Sequence, residues 1–176
     1  MGITIKIPDG WETLNVETKN EIQRRGKEVL AGDNENMKAA LTAAESNVVQ
    51  LLTISKYPLG TPGKPNVLFA SGAENASAFP GIKDGKDYLL NAKELLKFSN
   101  MNMQTSNEIY SQKIDGVDFA VLECSINFND NEVKQLMYAT IIKGYAYYFN
   151  YTYCSPQDLE FLHEIISNMK FKQELN

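Results

Sequence analysis

His163, Cys124 and Cys154 are the side chains of this chain with the strongest catalytic and metal-binding chemistry, and their scarcity limits what that chemistry can be. One histidine excludes His-rich metal sites and two-histidine zinc motifs. The cysteines have neither C-x-x-C nor zinc spacing and form no disulfide framework, so both are expected as free, small hydrophobes on strands or strand ends. A Cys154–His163 pair could supply a thiol nucleophile. However, the cysteine ends a strand, the histidine projects from the helix beyond it, and no orienting acid is identifiable. His163 is therefore read as a boundary residue beside an apolar stripe. Gly60-Thr61-Pro62-Gly63-Lys64-Pro65 has the flavour of a phosphate loop, but Pro58 stands where the first glycine belongs and Pro65 replaces the Ser or Thr after the lysine. Asn127, Asn129 and Asn131 alternate like calcium ligands, yet the loop glycine is missing and Tyr138 occupies the position of the bidentate glutamate. Asp9, Glu12, Glu160 and Glu164 are read as solvated carboxylates. The sequons Asn75-Ala76-Ser77 and Asn150-Tyr151-Thr152 carry little weight, the second lying inside a strand. No catalytic constellation, metal site or cofactor is expected.

Binding is the chemistry that remains. The segment 58–66 holds three prolines and two glycines and cannot be regular structure. Tyr57, Leu59 and Lys64 around it, with Phe79 in a later loop, are the candidate binding residues, because binding groups concentrate on loops. A plain structural connection is the favoured reading of the same segment.

These residues must be positioned by a chain of 176 residues, 43% hydrophobic and 22% charged, which is the size and composition of one globular domain spanning residues 1–176. A net charge of −5 disfavours nucleic acid. The basic cluster Arg24-Arg25 with Lys27 is read as a solvated helix face. No run approaches the roughly 18 apolar residues of a membrane span. The chain enters a period-two strand pattern at Ile3-Thr4-Ile5-Lys6-Ile7. An exported protein whose leader has been removed fits that start and is the favoured expectation; a cytoplasmic protein with Met1 as its native start fits it too.

Pro8-Asp9-Gly10 reads as a turn before the only tryptophan, Trp11. Thr18 and Glu21 have capping-box spacing, opening a helix with Ile22, Gly26, Val29 and Leu30 on one face and a stop at Gly32. Gly26 there suggests close approach to a neighbour. Helices are expected at about 34–45 and 86–98, and strands at 48–57 and 67–73. Asp115-Gly116 is a two-residue hairpin signal, Asn129-Asp130-Asn131 turns the chain again, and Lys143-Gly144 turns it a third time. A last helix is expected with Ser155 as N-cap and Pro156 at its first position, its apolar face being Leu159, Leu162, Ile165, Ile166 and Met169.

Residues 145 to 154 contain five of the nine tyrosines. If Lys143-Gly144 is a two-residue turn, Tyr145, Tyr147, Phe149 and Tyr151 face Ile142, Thr140, Tyr138 and Leu136. Ala146, Tyr148 and Asn150 then share the other face with Ile141, Ala139 and Met137. One face is large and aromatic and the other smaller but still largely apolar, so both are expected to be covered. That predicts an α+β fold, a three-layer α/β/α sandwich around a mainly antiparallel sheet.

Ile7-Pro8-Asp9-Gly10-Trp11, then Lys143-Gly144-Tyr145-Ala146-Tyr147 with Phe149, closed by Ser155-Pro156 and the apolar helix ending Met169-Lys170-Phe171, resembles the PsbP-like superfamily. More narrowly, it resembles bacterial domains of unknown function within it, many exported or lipid-anchored. The resemblance implies the same α/β/α sandwich and non-enzymatic work through protein contacts. Relatives in that superfamily include an extrinsic photosystem II subunit and a Ran-binding import protein; neither role transfers, since the first has an ion-related function that involves histidines, of which this chain has one, and no residues here can be carried over as a Ran-binding surface. The leading expectation is a non-catalytic protein-binding or assembly module with an unidentified protein partner. The alternatives are a small-molecule binder with a pocket between the tyrosine strand and a helix, and an enzyme of unrecognised type. Oligomeric state is not legible.

Overall fold

Alternating apolar residues and two-residue turns dictate long antiparallel strands in the last third of the chain, and those strands form the centre of the fold. A computed structural model describes residues 2–45, 47–61, 67–99, 102–128 and 131–172. In chain order, β1 (Gly2–Thr4) and β2 (Glu12–Thr13) precede a helical hairpin, α1 (Val16–Ala31) and α2 (Glu35–Glu45). Next come β3 (Val48–Ser55), β4 (Leu68–Asn75), a single 3-10 turn and α3 (Gly85–Lys97). The remainder is β5 (Gln104–Thr105), β6 (Tyr110–Ile114), β7 (Val117–Phe128), β8 (Asn131–Ile142), β9 (Tyr145–Tyr153), α4 (Asp158–Asn168) and β10 (Lys170–Lys172).

Eight strands form an open antiparallel sheet in the order β2-β3-β4-β9-β8-β7-β5, with β6 beside β5 on the same edge of β7. β1 and β10 make a separate two-stranded ribbon. The β8–β9 register is the one the two-residue turn requires, Ile142 opposite Tyr145 through Leu136 opposite Tyr151. Asp115 and Gly116, and likewise Lys143 and Gly144, all have positive φ, as a primed hairpin turn demands. The fold is α+β.

The aromatic face is the core. Tyr147, Phe149 and Tyr151 are buried with Trp11, Phe69, Phe119 and Tyr138, beneath Leu162, Ile165 and Met169 of α4 and Phe171 of β10. Tyr145 is the exception on that face, 52% exposed where the strand leaves the turn. The Tyr138 hydroxyl donates to Gln112 and the Tyr151 hydroxyl to the Asp158 carbonyl, so two core tyrosines satisfy their polar ends inside the protein. Both cysteines are free.

Two predicted helix starts are corrected. The N-cap of α1 is Asn15, whose side chain accepts from the Thr18 N–H at 2.8 Å. Glu21 does not reach back to complete a capping box, because Arg24 and Arg25 hold its carboxylate at 2.8 and 2.6 Å. Hydrogen bonding to Arg24 first, then Arg25, lowers its pKa to about 2. Arg24 also pairs with Glu28, so the basic cluster is the solvated face expected. Ser155 does not cap α4 either. Its N–H and hydroxyl donate to the buried Asp158 carboxylate at 3.1 and 2.7 Å, and Lys56 beyond the end of β3 pairs with the same carboxylate at 3.0 Å. Asp158 thus ties together the ends of β3 and β9 and the start of α4.

On the opposite face, α3 covers β7 and β8 through Leu89, Leu122, Cys124 and Ala139. Gly85, at the first position of α3, lies so near β8 that a Cβ would come within 2.1 Å of the Ala139 carbonyl oxygen. Close approach was expected instead at Gly26, where a Cβ would meet nothing within 4 Å. Gly85→Ala therefore costs about 1–3 kcal/mol by overpacking, while Gly26→Ala gains about 0.8–1 kcal/mol in an exposed helix interior; urea unfolding of the two variants checks the opposite signs.

Asp158 carries a pH signature. Burial alone would raise its pKa, but hydrogen bonds from Ser155, Lys56 and the Cys154 N–H outweigh it and hold the folded carboxyl below its ordinary value. Its contribution is complete above about pH 4, the unfolded value, and drains away as pH falls through the lower folded value. Asp158→Asn is expected to cost about 1.5–3 kcal/mol at neutral pH and to flatten the acid limb of the stability curve, measured by thermal unfolding between neutral and strongly acidic pH.

Candidate functional site

The second face of the sheet is covered only in part. Ala70, Gly72 and Glu74 of β4 share it with Asn150, Tyr148 and Ala146 of β9, in paired rows. Thr53, Gln50 and Val48 of β3 extend those rows toward the edge. Small side chains at Thr53 and Ala70 keep this floor low, and the α1–α2 hairpin does not descend to fill it. Among the described side chains of α1 and α2, only Ala31 is buried. Between the hairpin, α3 and the floor lies a cleft of about 750 Å³, within the range of small-molecule sites.

Each wall follows from its sequence. Ile22, Gly26 and Leu30 recur one helical turn apart on α1 and line one side, with Leu41 from α2. Ala92 and Leu95 of α3, with Phe79 and Ile82 from the preceding loop, line the other. The hairpin is fastened by polar ties. Leu14 N–H donates to the Thr53 carbonyl at 3.0 Å and Gln23 and Gln50 are 2.6 Å apart, tying it to β3, while Lys27 pairs with Glu45 at 2.9 Å within the hairpin.

One corner has distinct chemistry. Glu74 is 8% exposed, and the Tyr88 hydroxyl donates to its carboxylate at 2.8 Å. The Tyr88 ring stacks on Tyr148, centroids 6.0 Å apart and planes 16° from parallel. Tyr148 in turn lies over Gly72, where a Cβ would stand 2.5 Å from the Tyr148 oxygen. Burial, then the Glu74 charge, pushes the Tyr148 hydroxyl up to about 12 and the Tyr88 hydroxyl further in the same direction. Both phenols are neutral donors at physiological pH.

Of the candidate binding residues, Phe79 reaches the cleft, at its rim and 37% exposed. Leu59 lies elsewhere, in a shallow depression of about 550 Å³ beside Glu17, Glu21 and Arg25. Tyr57 is half-buried on the α4 side, where Lys56 Nζ sits 5.5 Å from its ring and 4.4 Å from that of Phe161. Lys64 lies outside the described residues. The sequence places Tyr148 and Asn150 on this face and Tyr88 within the helix expected at 86–98, but does not join them. Glu74 was missed, since β4 runs to Asn75, past the expected end at Ala73. Burial raises the Cys124 thiol to about 11, and burial with the nearby Asp158 raises that of Cys154, the reverse of thiol activation. His163 is exposed. Among the described residues, no three His, Cys, Asp or Glu side chains gather as a metal site, and no helix is long and apolar enough to cross a membrane.

No family model matches the sequence, and no curated protein matches it. Solved structures do. The chain is similar to a protein from Bacteroides thetaiotaomicron VPI-5482, with a TM-score of 0.51 at 14% identity, over 98% of this chain. It spans about half of that protein, 46% of its length. It is also similar to LpqN, involved in cell envelope biogenesis of Mycobacterium tuberculosis, with a TM-score of 0.50 at 13% identity, over 95% of this chain and 81% of LpqN. The likeness is one of fold, and both neighbours are bacterial.

Removing the Tyr88 hydroxyl tests the corner. Tyr88→Phe leaves the Glu74 carboxylate buried without its donor, at a cost of about 1–3 kcal/mol. Glu74→Leu added to Tyr88→Phe is expected to recover part of that loss, so a double-mutant cycle by urea unfolding returns a coupling well away from zero.

Proposed function

We propose that this chain is a non-catalytic binding module that holds a small, largely apolar molecule in the cleft between α1, α3 and the sheet. The cleft itself carries the reading. A helical hairpin whose apolar stripe faces an open volume, not a packed interior, leaves apolar surface in water, and an apolar ligand removes it. The upward-shifted thiols favour binding over nucleophilic catalysis. Membership of the PsbP-like superfamily remains part of the proposal, supported by the sandwich architecture and the quoted sequence resemblance. An extracytoplasmic role is supported by the likeness to LpqN and its part in envelope biogenesis.

Assembly through a protein partner is the second reading, favoured by the edge of the sheet. β2 pairs only Ile54 and Ser55 of β3, leaving 48–52 as an edge on which Val49 is 61% and Leu51 46% exposed. Such an edge can accept a partner strand.

Native mass spectrometry of the purified protein and a thermal-shift screen of apolar metabolites separate the two readings. The expected outcome is a retained or stabilising small molecule that is lost in Gly26→Trp, which puts an indole into the cleft from a position with open space above it. A Gly26→Trp protein that folds and still binds overturns the cleft reading.

A further inference from the structure

The structure assigns a charge to the ligand: we infer that it is a cationic amphiphile, an apolar body with a protonated amine or quaternary ammonium head seated against Glu74, Tyr88 and Tyr148. This rests on the reading of the cleft as a small-molecule site. Glu74 is a carboxylate at the margin of an apolar cleft, 8% exposed, with the neutral Tyr88 hydroxyl as its hydrogen-bond donor. Among the described residues, no Lys, Arg or His nitrogen lies within ion-pair distance of it. A carboxylate taken out of water is costly unless a countercharge accompanies it. The protein supplies a hydroxyl in place of that countercharge, leaving the position for a ligand cation.

The other cleft residues place the countercharge nowhere else. Lys27 is already neutralised by Glu45 at 2.9 Å. Lys19 lines the cleft one helical turn before Gln23, and so toward the Thr53 end. From the Ala70 row at that end to Glu74 is four strand residues, about 13 Å. Tyr88 and Tyr148 both line the cleft at this corner, and an aromatic ring attracts an ammonium within about 6 Å of its centroid, most strongly when desolvated. The low floor at Thr53 and Ala70, with Ile22, Leu30 and Leu95 around it, receives the apolar body. An anionic head would meet an uncompensated carboxylate at the same corner, and like charges in a desolvated site repel strongly.

Isothermal titration at neutral pH with four probes of equal chain length tests the inference: octylamine, octyltrimethylammonium, octanol and octanoate, each below its aggregation threshold. The two ammonium probes are expected to bind the unmodified protein at least ten-fold more tightly than octanol, and octanoate more weakly than octanol. Glu74→Gln, which keeps an acceptor for Tyr88, is expected to bring the ammonium-to-octanol ratio close to one. Tyr148→Leu is expected to reduce it for the quaternary probe. Octanol binding as tightly as the ammonium probes, or a ratio unchanged in Glu74→Gln, overturns the head-group assignment while leaving the cleft reading intact. No binding by any of the four, or undiminished binding in Gly26→Trp, overturns both. The comparison of the four probes on the unmodified protein decides the head group even where a variant does not fold.

Discussion

The stacking of Phe149 on Tyr138, with ring centroids 4.3 Å apart and planes 13° from parallel, is the contact on which the rest of this structure depends. Phe149 sits in the middle of a central strand, and Phe69 and Phe119 from β4 and β7 meet it at 5.2 and 5.6 Å. Once this residue is committed to the core, the pleat commits Tyr147 and Tyr151 with it and turns Tyr148 and Asn150 to the other side. A slip of one residue would exchange the two sets, moving the large aromatic rings away from α4 and into the space beneath the helical hairpin. Register, core and cleft are therefore one decision.

The two faces are held in different ways. Against the aromatic face, α4 and β10 pack with side chains that are almost wholly buried, and Asp158 and Asp115 pin their ends. Asp115, in the β6–β7 turn, accepts from the Phe171 N–H and the Lys170 amine at 2.9 and 3.0 Å. Against the second face, α3 is pressed onto β8 through Gly85, but the α1–α2 hairpin is hung from its beginning and tied to β3 by one amide pair. A hairpin fastened by polar ties and not by burial leaves its apolar stripe available. On the proposed reading, the volume that the hairpin does not fill is the volume that a ligand takes.

Much of this was legible in the residues. Lys143-Gly144 as a two-residue turn sets one register, and that register tells the aromatic face from the smaller one. Asp115-Gly116 did the same for its hairpin. Local signals misled where two partners competed for one group. Glu21 had the spacing of a capping box, but two arginines within a turn were better partners for it, and Asn15 took the cap. Ser155 had the type and position of an N-cap, yet it became a donor because a buried carboxylate three residues on had greater need of one. Gly26 and Gly85 show the same limit from another side: both are glycines within helices, and only the distance to the next backbone separates a lost contact from a required one.

What the sequence determined by itself is whatever depends on neighbours along the chain: strand periodicity, the primed turns, the face on which each tyrosine of β9 lies, and the α+β class that two covered faces imply. What only the tertiary structure decided is how far each helix descends onto the sheet. That depends on side-chain volumes summed across the consecutive strands β3 and β4 and the distant strand β9, and on where Glu74 finds its hydrogen bond. The cleft is a difference between those volumes and the space enclosed, and no local pattern of residues encodes such a difference.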